Sequence, residues 1–214
     1  MRAVLIGCAG RMGQAVLAIA APGEIVAGVD IVKCGNVKTY SDIKEVQEEF
    51  DTIIDFSTCA DRQEMIDFAR EKMKCYACFA TALNKVDRPA LLKLEKEGLA
   101  VVCANASEGF FAMKKAIEVM TENLTGADVV VEEVHHKQKK DVPSGTAKML
   151  VKILKENGAK PQVVSVRAGS EFGTHKVVFY LQDETIEIVH RAQSRKIFAI
   201  GALKSARELA NKNF

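Results

Sequence analysis

The sequence predicts an α/β chain in two parts: a doubly wound parallel sheet, then a smaller α+β part built on a mixed sheet. Three observations carry this. Short apolar runs alternate with helix-patterned runs up to about residue 106. A glycine-rich turn stands directly after the first apolar run. Beyond residue 107 the rhythm changes, and it closes on two β-branched runs joined by only three polar residues, "QDE" at 182–184. Strand and helix in alternation demand crossover connections and hence parallel strands covered on both faces.

The elements follow in order. "RAVLI" (2–6) is a continuous apolar run, as a strand buried on both faces requires, and "GCAGRMGQAVLAIAA" (7–21) is a turn opening into a helix. "EIVAGVD" (24–30) is the second strand, and "YSDIKEVQEEF" (40–50) carries apolar residues at helical spacing. The pattern continues with the strand "DTIIDFS" (51–57), the helix "CADRQEMIDFAREKM" (59–73), the strand "CYACFAT" (75–81), the helix "DRPALLKLEKEG" (87–98) and the strand "LAVVCANA" (99–106). The second part opens on a long helix (108–124), then the strand "ADVVVEEVHH" (127–136), a basic loop and the helix "GTAKMLVKILKENG" (145–158). Three strands follow at 162–169, 174–181 and 185–192, the last two forming an antiparallel hairpin. The tail, 194–214, is helical and is expected to return to the first part. The expected division is therefore 1–106 with 194–214 as a dinucleotide-binding domain, and 107–193 as a second domain.

Composition excludes several classes. With 214 residues, 48% of them hydrophobic, the chain has enough apolar surface for one large core or two modest ones. A net charge of +2, with acids and bases interspersed, gives no long-range field for a nucleic acid or a membrane surface. No apolar run reaches the roughly 20 residues a spanning helix needs. Six cysteines, several inside strand-like runs, read as buried thiols in a reducing cytoplasm. The one C-x-x-C pair, Cys75 and Cys78, lacks the second pair that zinc would need, and no metal is expected.

Gly7, Gly10 and Gly13 form G-x-x-G-x-x-G between a strand and a helix, the context in which backbone approaches a pyrophosphate resting on the helix start. This makes the first domain Rossmann-like. Asp30 ends the next strand, placed to accept from a ribose 2′-hydroxyl, while Lys33 and Arg11 offer cations to phosphate. Use of NADH, NADPH or both is expected. The strand ends "ATAL" (80–83) and "CANAS" (103–107) should lie along the same carboxyl edge as neighbours of the nicotinamide.

The run "VEEVHHKQKKDVPSGTAKML" (131–150) feeds a strand into a basic loop and then a helix. Helix starts attract acids, yet there is none from Ser144 to Lys155. The amides of Ser144, Gly145 and Thr146 are therefore expected to be open to a ligand carboxylate, helped by the Thr146 hydroxyl and a nearby lysine or histidine. His135 and His136 are adjacent, so on a strand they point to opposite sides and serve two roles.

The fifteen residues "EVHHKQKKDVPSGTA" resemble the signature E-x-H-H-x-x-K-x-D-A-P-S-G-T-A of the 4-hydroxy-tetrahydrodipicolinate reductase (dihydrodipicolinate reductase) family, with Val142 in place of alanine. Agreement extends to "GCAGRMG", "IDFS" (54–57), "RAGSEFGTH" (167–175) and "SRKIFAIGA" (194–202), in order along the whole chain. The resemblance implies reduction of a cyclic dicarboxylate with NAD(P)H in lysine and diaminopimelate biosynthesis, and a homotetramer assembled through the second domain's sheet. It implies His135 as general acid/base, Lys139 as proton-donating lysine, and His136, Gly145 and Thr146 as substrate contacts, to which the helix-start reading adds Ser144. It places the cofactor on Gly7, Cys8, Ala9, Gly10, Arg11, Met12 and Asp30, flanked by Ala80, Thr81 and Ala82 and by Cys103, Ala104, Asn105 and Ala106. Two departures stand out: Ala80-Thr81-Ala82-Leu83 where the family often reads Gly-Thr-Thr-Gly, and Ala106 where it often has an aromatic residue. A histidine of ordinary pKa, near 6.5, is suited to hold the proton that follows a hydride. Two other classes share these features in part: an oxidoreductase of another small dicarboxylate, and a non-catalytic NAD(P)-binding sensor.

Overall fold

The computed structural model describes residues 1–59, 62–81 and 83–214. The chain divides into two compact units, Met1–Ala106 with Phe198–Phe214, and Ser107–Ile197.

In the first unit, β1 (Ala3–Ile6), β2 (Ile25–Val29), β3 (Thr39–Tyr40), β4 (Thr52–Asp55), β5 (Cys75–Cys78) and β6 (Ala100–Val102) form one sheet in the order β3-β2-β1-β4-β5-β6. Every pairing is parallel. Strand order reverses at β1, the switch point where such sheets bind ligands. Helices α1 (Arg11–Leu17), α2 (Gln63–Glu71) and α3 (Asp87–Lys96) are the crossovers. One expected element is absent. Residues 40–50 are not a helix: Tyr40 pairs with Val29 as part of β3, and a single 3-10 turn, Ile43–Glu45, follows. Asp42 caps that turn by accepting from the Lys44 amide at 2.8 Å, and Val46 is extended. Ile43 and Phe50 reach the core from this turn and the segment after it, so the helical spacing of the apolar residues is satisfied without a helix.

Helix α6 (Lys196–Asn213) packs on the first unit from Phe198 onward. Ala199, Ala202, Leu203 and Ala206 join Ala3, Leu5 and Ile54 in one cluster, and Arg207 forks onto Glu24 at 2.6 and 2.8 Å. Gly201 sits against residue 106: a Cβ built there would lie 1.7 Å from the Ala106 carbonyl oxygen.

All six cysteines are free thiols. Cys75 and Cys78 are three apart on an extended strand and face opposite ways, one toward the Leu209 carbonyl and the other toward Asp55. They cannot share a ligand, and burial raises their pKa to about 11 and about 12.

The second unit holds α4 (Glu108–Asn123), β7 (Asp128–His135), α5 (Gly145–Glu156), β8 (Gln162–Arg167), β9 (Thr174–Tyr180) and β10 (Thr185–Arg191). Its sheet runs β10-β9-β7-β8, parallel between β7 and β8 and antiparallel elsewhere. Alternation along β7 buries Val129, Val131, Glu133 and His135 on one face. The valines pack with Phe110, Ile117, Leu150 and Leu154 of α4 and α5. The other face leaves Val164, Val166, Tyr180 and Val189 exposed.

Gly201→Ala tests the docking of α6. Helix propensity alone would make it stabilising by about 1 kcal/mol, but overpacking costs about 1–3 kcal/mol. The expected outcome in denaturant unfolding is a net loss of stability; a gain would show that α6 does not pack this closely on residue 106.

Candidate functional site

In the first unit the carboxyl ends of the parallel strands bring the expected cofactor residues to one edge. Gly7 leaves β1 with φ +78°, and its amide donates to the Val29 carbonyl at 2.9 Å. Gly13 lets α1 close onto the turn, since a Cβ there would meet the Gly7 carbonyl oxygen at 2.3 Å. α1 begins with no side-chain cap at Gly10 and no acid in its first turn. Arg11 is exposed at its start, Cys8 is buried, and Met12 packs inward. The Cys8 thiol is raised to about 11 by burial and by the nearby Cys34 and Asp30. Asp30 accepts from the Ala9 amide at 3.0 Å and the Val32 amide at 3.1 Å, and each oxygen keeps a second lone pair for a hydroxyl. This uncapped, glycine-lined start beside a carboxylate fits a pyrophosphate and its ribose. Ala80 is buried and Thr81 exposed; Ala82 lies outside the described residues. Cys103 donates its thiol to the Asn105 carbonyl at 2.9 Å, and Asn105 and Ala106 are buried while Ala104 is half-buried.

In the second unit the two histidines differ: His135 is buried at the end of β7, and His136, just past the strand, is half-buried. What the sequence reading did not assign is the group that organises His135. Glu133, fully buried two residues upstream on the same face, takes a guanidinium fork from Arg167 at 2.8 and 3.0 Å. The same carboxylate hydrogen-bonds His135 Nδ1 and accepts the Ser144 amide at 3.3 Å. Burial alone would raise its pKa, but Arg167, Ser165 and His135 overcome this and hold it at about 2. Arg167 also donates to the carbonyls of Lys139 and Asp141 at 3.2 and 2.5 Å, fixing the basic loop.

Because Glu133 is ionised, the His135 proton is assigned to Nδ1, leaving the Nε2 lone pair free. Nε2 faces Gly173, where a Cβ would stand 2.9 Å away. The resting charge corrects the expectation of an ordinary histidine: burial lowers the His135 pKa despite the adjacent carboxylate, so at neutral pH the imidazole carries no charge. His175 lies across the strand pair from Glu133. It is edge-on to His135 with ring centroids 5.1 Å apart, and its Nε2 is 3.0 Å from Ser144 Oγ. Burial and the neighbouring His135 push its pKa down to about 3.

The start of α5 is a second correction. Two of the three amides expected to be open are engaged within the ligand-free chain: Ser144 N donates to Glu133 at 3.3 Å and Gly145 N bonds Asp141, while Ser144 Oγ caps Ala147 N at 3.2 Å. Asp141 pairs with Lys139 Nζ at 2.7 Å, and burial, which works against its charge, is overcome by Lys139 and by backbone amides including that of Gly145. The missing acids come from the strand and the loop rather than from the helix. Thr146, half-buried, stands one residue further in.

Ligand atoms of Glu133, His135 and His175 lie within 4.8 Å of one another, a spacing open to a metal. The donor set argues otherwise: the Arg167 fork, His135 Nδ1 and the Ser144 amide together fill the lone pairs of both Glu133 oxygens, and a divalent cation would have to displace them.

Comparison with known proteins gives the family. The family models "Dihydrodipicolinate reductase, N-terminus" and "Dihydrodipicolinate reductase, C-terminus" match residues 1–106 and 109–214. The chain belongs to the dihydrodipicolinate reductase family. A 4-hydroxy-tetrahydrodipicolinate reductase of Caldanaerobacter subterraneus is 33% identical, over 98% of this chain and 92% of its own length. One from Stenotrophomonas maltophilia is also 33% identical, over 99% and 93%. Among solved structures, the dipicolinate-bound dihydrodipicolinate reductase of Paenisporosarcina sp. TG-14 shares the fold with a TM-score of 0.77 at 18% identity, covering 99% of this chain and 95% of its own. An aspartate dehydrogenase of Thermotoga maritima aligns at a TM-score of 0.58 and 14% identity, over 98% and 96%. Glu133, Arg167, Gly173 and His175 all fall in segments that the resemblance covers, "EVHH" and "RAGSEFGTH".

The buried histidine gives a pH test. His175 binds a proton at about pH 6.5 when unfolded but only near 3 when folded, so stability is full above the unfolded value and falls as pH drops toward 3. His135, Glu133, His190 and Lys139 are the charged or titratable neighbours that act on it. Between pH 6 and 4, His175→Gln should flatten the fall in unfolding free energy by about 1.4 kcal/mol per pH unit, one proton's worth. Equal slopes in mutant and parent would show that His175 is not buried neutral.

Proposed function

We propose that this chain reduces 4-hydroxy-tetrahydrodipicolinate to tetrahydrodipicolinate with NADH or NADPH, in the route to diaminopimelate and lysine. The observation that carries the reading is the neutral His135, oriented by an Arg167-held Glu133, at the mouth of a basic loop in a chain of this family. The first unit is the dinucleotide-binding domain, with the cofactor on Gly7 to Met12 and Asp30. The second binds the dicarboxylate, and a solved family member of the same fold is described with dipicolinate bound.

The names of substrate and product set the balance: one hydride and one proton enter, and water leaves. The reduced nicotinamide supplies the hydride when bound. The protein's residues supply the rest. Two carboxylates entering beside His135 favour its charged form and raise its depressed pKa, so the imidazole takes up a proton as the substrate binds. Nε2 then holds that proton toward the space that Gly173 leaves clear, while Glu133 stabilises the imidazolium through Nδ1. Lys139, freed from Asp141 when a substrate carboxylate competes for it, is the second cation and the helper donor. His136, Ser144, Gly145 and Thr146 line the carboxylate site, with the ligand's anion replacing Asp141 at the Gly145 amide.

Assay of NADH or NADPH oxidation with freshly generated substrate tests the reading and separates it from a sensor or from an enzyme of another acid. His135→Gln should lower kcat by about 10²-fold or more with dinucleotide affinity unchanged; near-normal turnover would remove His135 from the mechanism.

The exposed Val164, Val166, Tyr180 and Val189 share the sheet face opposite α4 and α5. These exposed apolar residues support a homotetramer built through the second unit's sheet; the compartment we propose is the cytoplasm. The double variant Val164→Lys, Val166→Lys should sediment as a smaller species than the parent; an unchanged sedimentation coefficient would exclude this face from the assembly.

A further inference from the structure

Beside the glycine turn lies a buried cation that the proposed chemistry does not use. Arg62, just ahead of α2, has no exposed side-chain surface. Its Nε donates to Asp55 Oδ2 at 2.8 Å. Nη1 donates to the Cys59 carbonyl at 2.9 Å and to Asp87 Oδ2 at 3.5 Å. Nη2 donates to the Ser57 carbonyl at 2.8 Å and to Ser57 Oγ at 3.3 Å. That accounts for all five guanidinium donors. Burying such a charge costs several kcal/mol unless every donor is satisfied, and here each one is used to fix chain that leaves β4 or opens α3.

The stretch it fixes is in backbone contact with the cofactor turn. A Cβ on Gly7 would lie 3.0 Å from Ser57 N and 3.1 Å from the Phe56 carbonyl carbon, so residues 56 and 57 are the floor of the turn. Asp55 holds that floor from below, accepting the Ser57 amide at 2.7 Å through Oδ1 and the Tyr76 hydroxyl at 2.9 Å through Oδ2. Asp87 extends the network to the next strand end. It accepts the Arg62 amide at 3.2 Å, and its own amide, with that of Val86, is held by Asn84 Oδ1 at 2.7 and 2.8 Å. One side chain thus ties the segments following β4 and β5, both on the edge where the dinucleotide is expected.

We infer that Arg62, with Asp55 and Asp87, is a positioning device for the dinucleotide: it sets the height of the Phe56–Ser57 floor under Gly7 and the start of α3. This rests on the dinucleotide reading above. Arg62 acts through Ser57 and Gly7 and does not itself reach a ligand. A purely structural role would lower the unfolding midpoint and leave the affinity of the folded protein unchanged. A positioning role weakens dinucleotide binding and leaves the dicarboxylate site, in the other unit, untouched.

The test uses Arg62→Lys, which keeps the charge but has three donors on one nitrogen, and Asp87→Asn, which keeps the shape and removes one charge. Dissociation constants for NADH and NADPH are measured by calorimetry well below each variant's unfolding midpoint, with the KM for the dicarboxylate measured alongside. The expected result is dinucleotide binding about tenfold weaker for Arg62→Lys and about threefold weaker for Asp87→Asn, with the dicarboxylate KM within about twofold of the parent. Parental dinucleotide affinity in either folded variant, or an equal loss at both ligands, overturns the proposal; should Arg62→Lys not fold, Asp87→Asn decides it. If the parent protein binds neither dinucleotide, it is the underlying reading that fails.

Discussion

The second unit is organised around one buried carboxylate. Glu133 has no exposed side-chain surface, and a lone charge there would not survive the loss of its hydration. It survives because four groups converge on it: the two nitrogens of the Arg167 fork, His135 Nδ1 and the Ser144 amide. They come from three different pieces of chain. Arg167 ends β8, His135 ends β7, and Ser144 starts α5. Satisfying the one anion therefore fixes the strand end, the loop and the helix start together. Removing one partner of a buried pair of this kind typically costs about 3–5 kcal/mol, because the other charge is left uncompensated.

The chemistry of His135 follows from the same constraint. An ionised Glu133 asks for a proton at Nδ1, so the other nitrogen is bare and Gly173 leaves room beside it. Burial keeps the ring neutral in the ligand-free protein, the starting state from which the proton uptake proposed above would begin. His175, packed against the ring and bonded to Ser144, buttresses the arrangement from the β9 side. The first unit solves a similar problem with the signs reversed: a buried cation, Arg62, gathers carboxylates and carbonyls under the glycine turn.

Much of this was legible in the sequence for identifiable reasons. Continuous apolar runs fixed the parallel strands, because a strand buried on both faces has no polar alternate. The adjacent histidines differ in burial, since His135 closes β7 and His136 lies just past its end. Strand geometry places Glu133 on the face of His135, so its role was within reach, but its partner Arg167 lies 34 residues away and only the register between β7 and β8 joins them. Arg62 was hidden for the same reason, since nothing in "ADRQE" distinguishes a buried arginine from a wet one. The helix expected at 40–50 failed because apolar spacing reports which residues turn inward and not whether the backbone between them is helical; Asp42 and the β2 edge settled it as a strand and a turn. The start of α5 is empty of acids only within the helix itself, because Glu133 and Asp141 approach it from outside, which helix sequence alone does not show.

The central claim is that Glu133, held ionised by Arg167, imposes one tautomer on His135. Nitrogen-15 NMR of the ligand-free protein at neutral pH, with imidazole-labelled histidine and His135 assigned by its loss in a His135→Gln sample, reads this directly. The account predicts a protonated Nδ1 and a bare, pyridine-type Nε2. A signal from the opposite tautomer, or from an imidazolium, would contradict it.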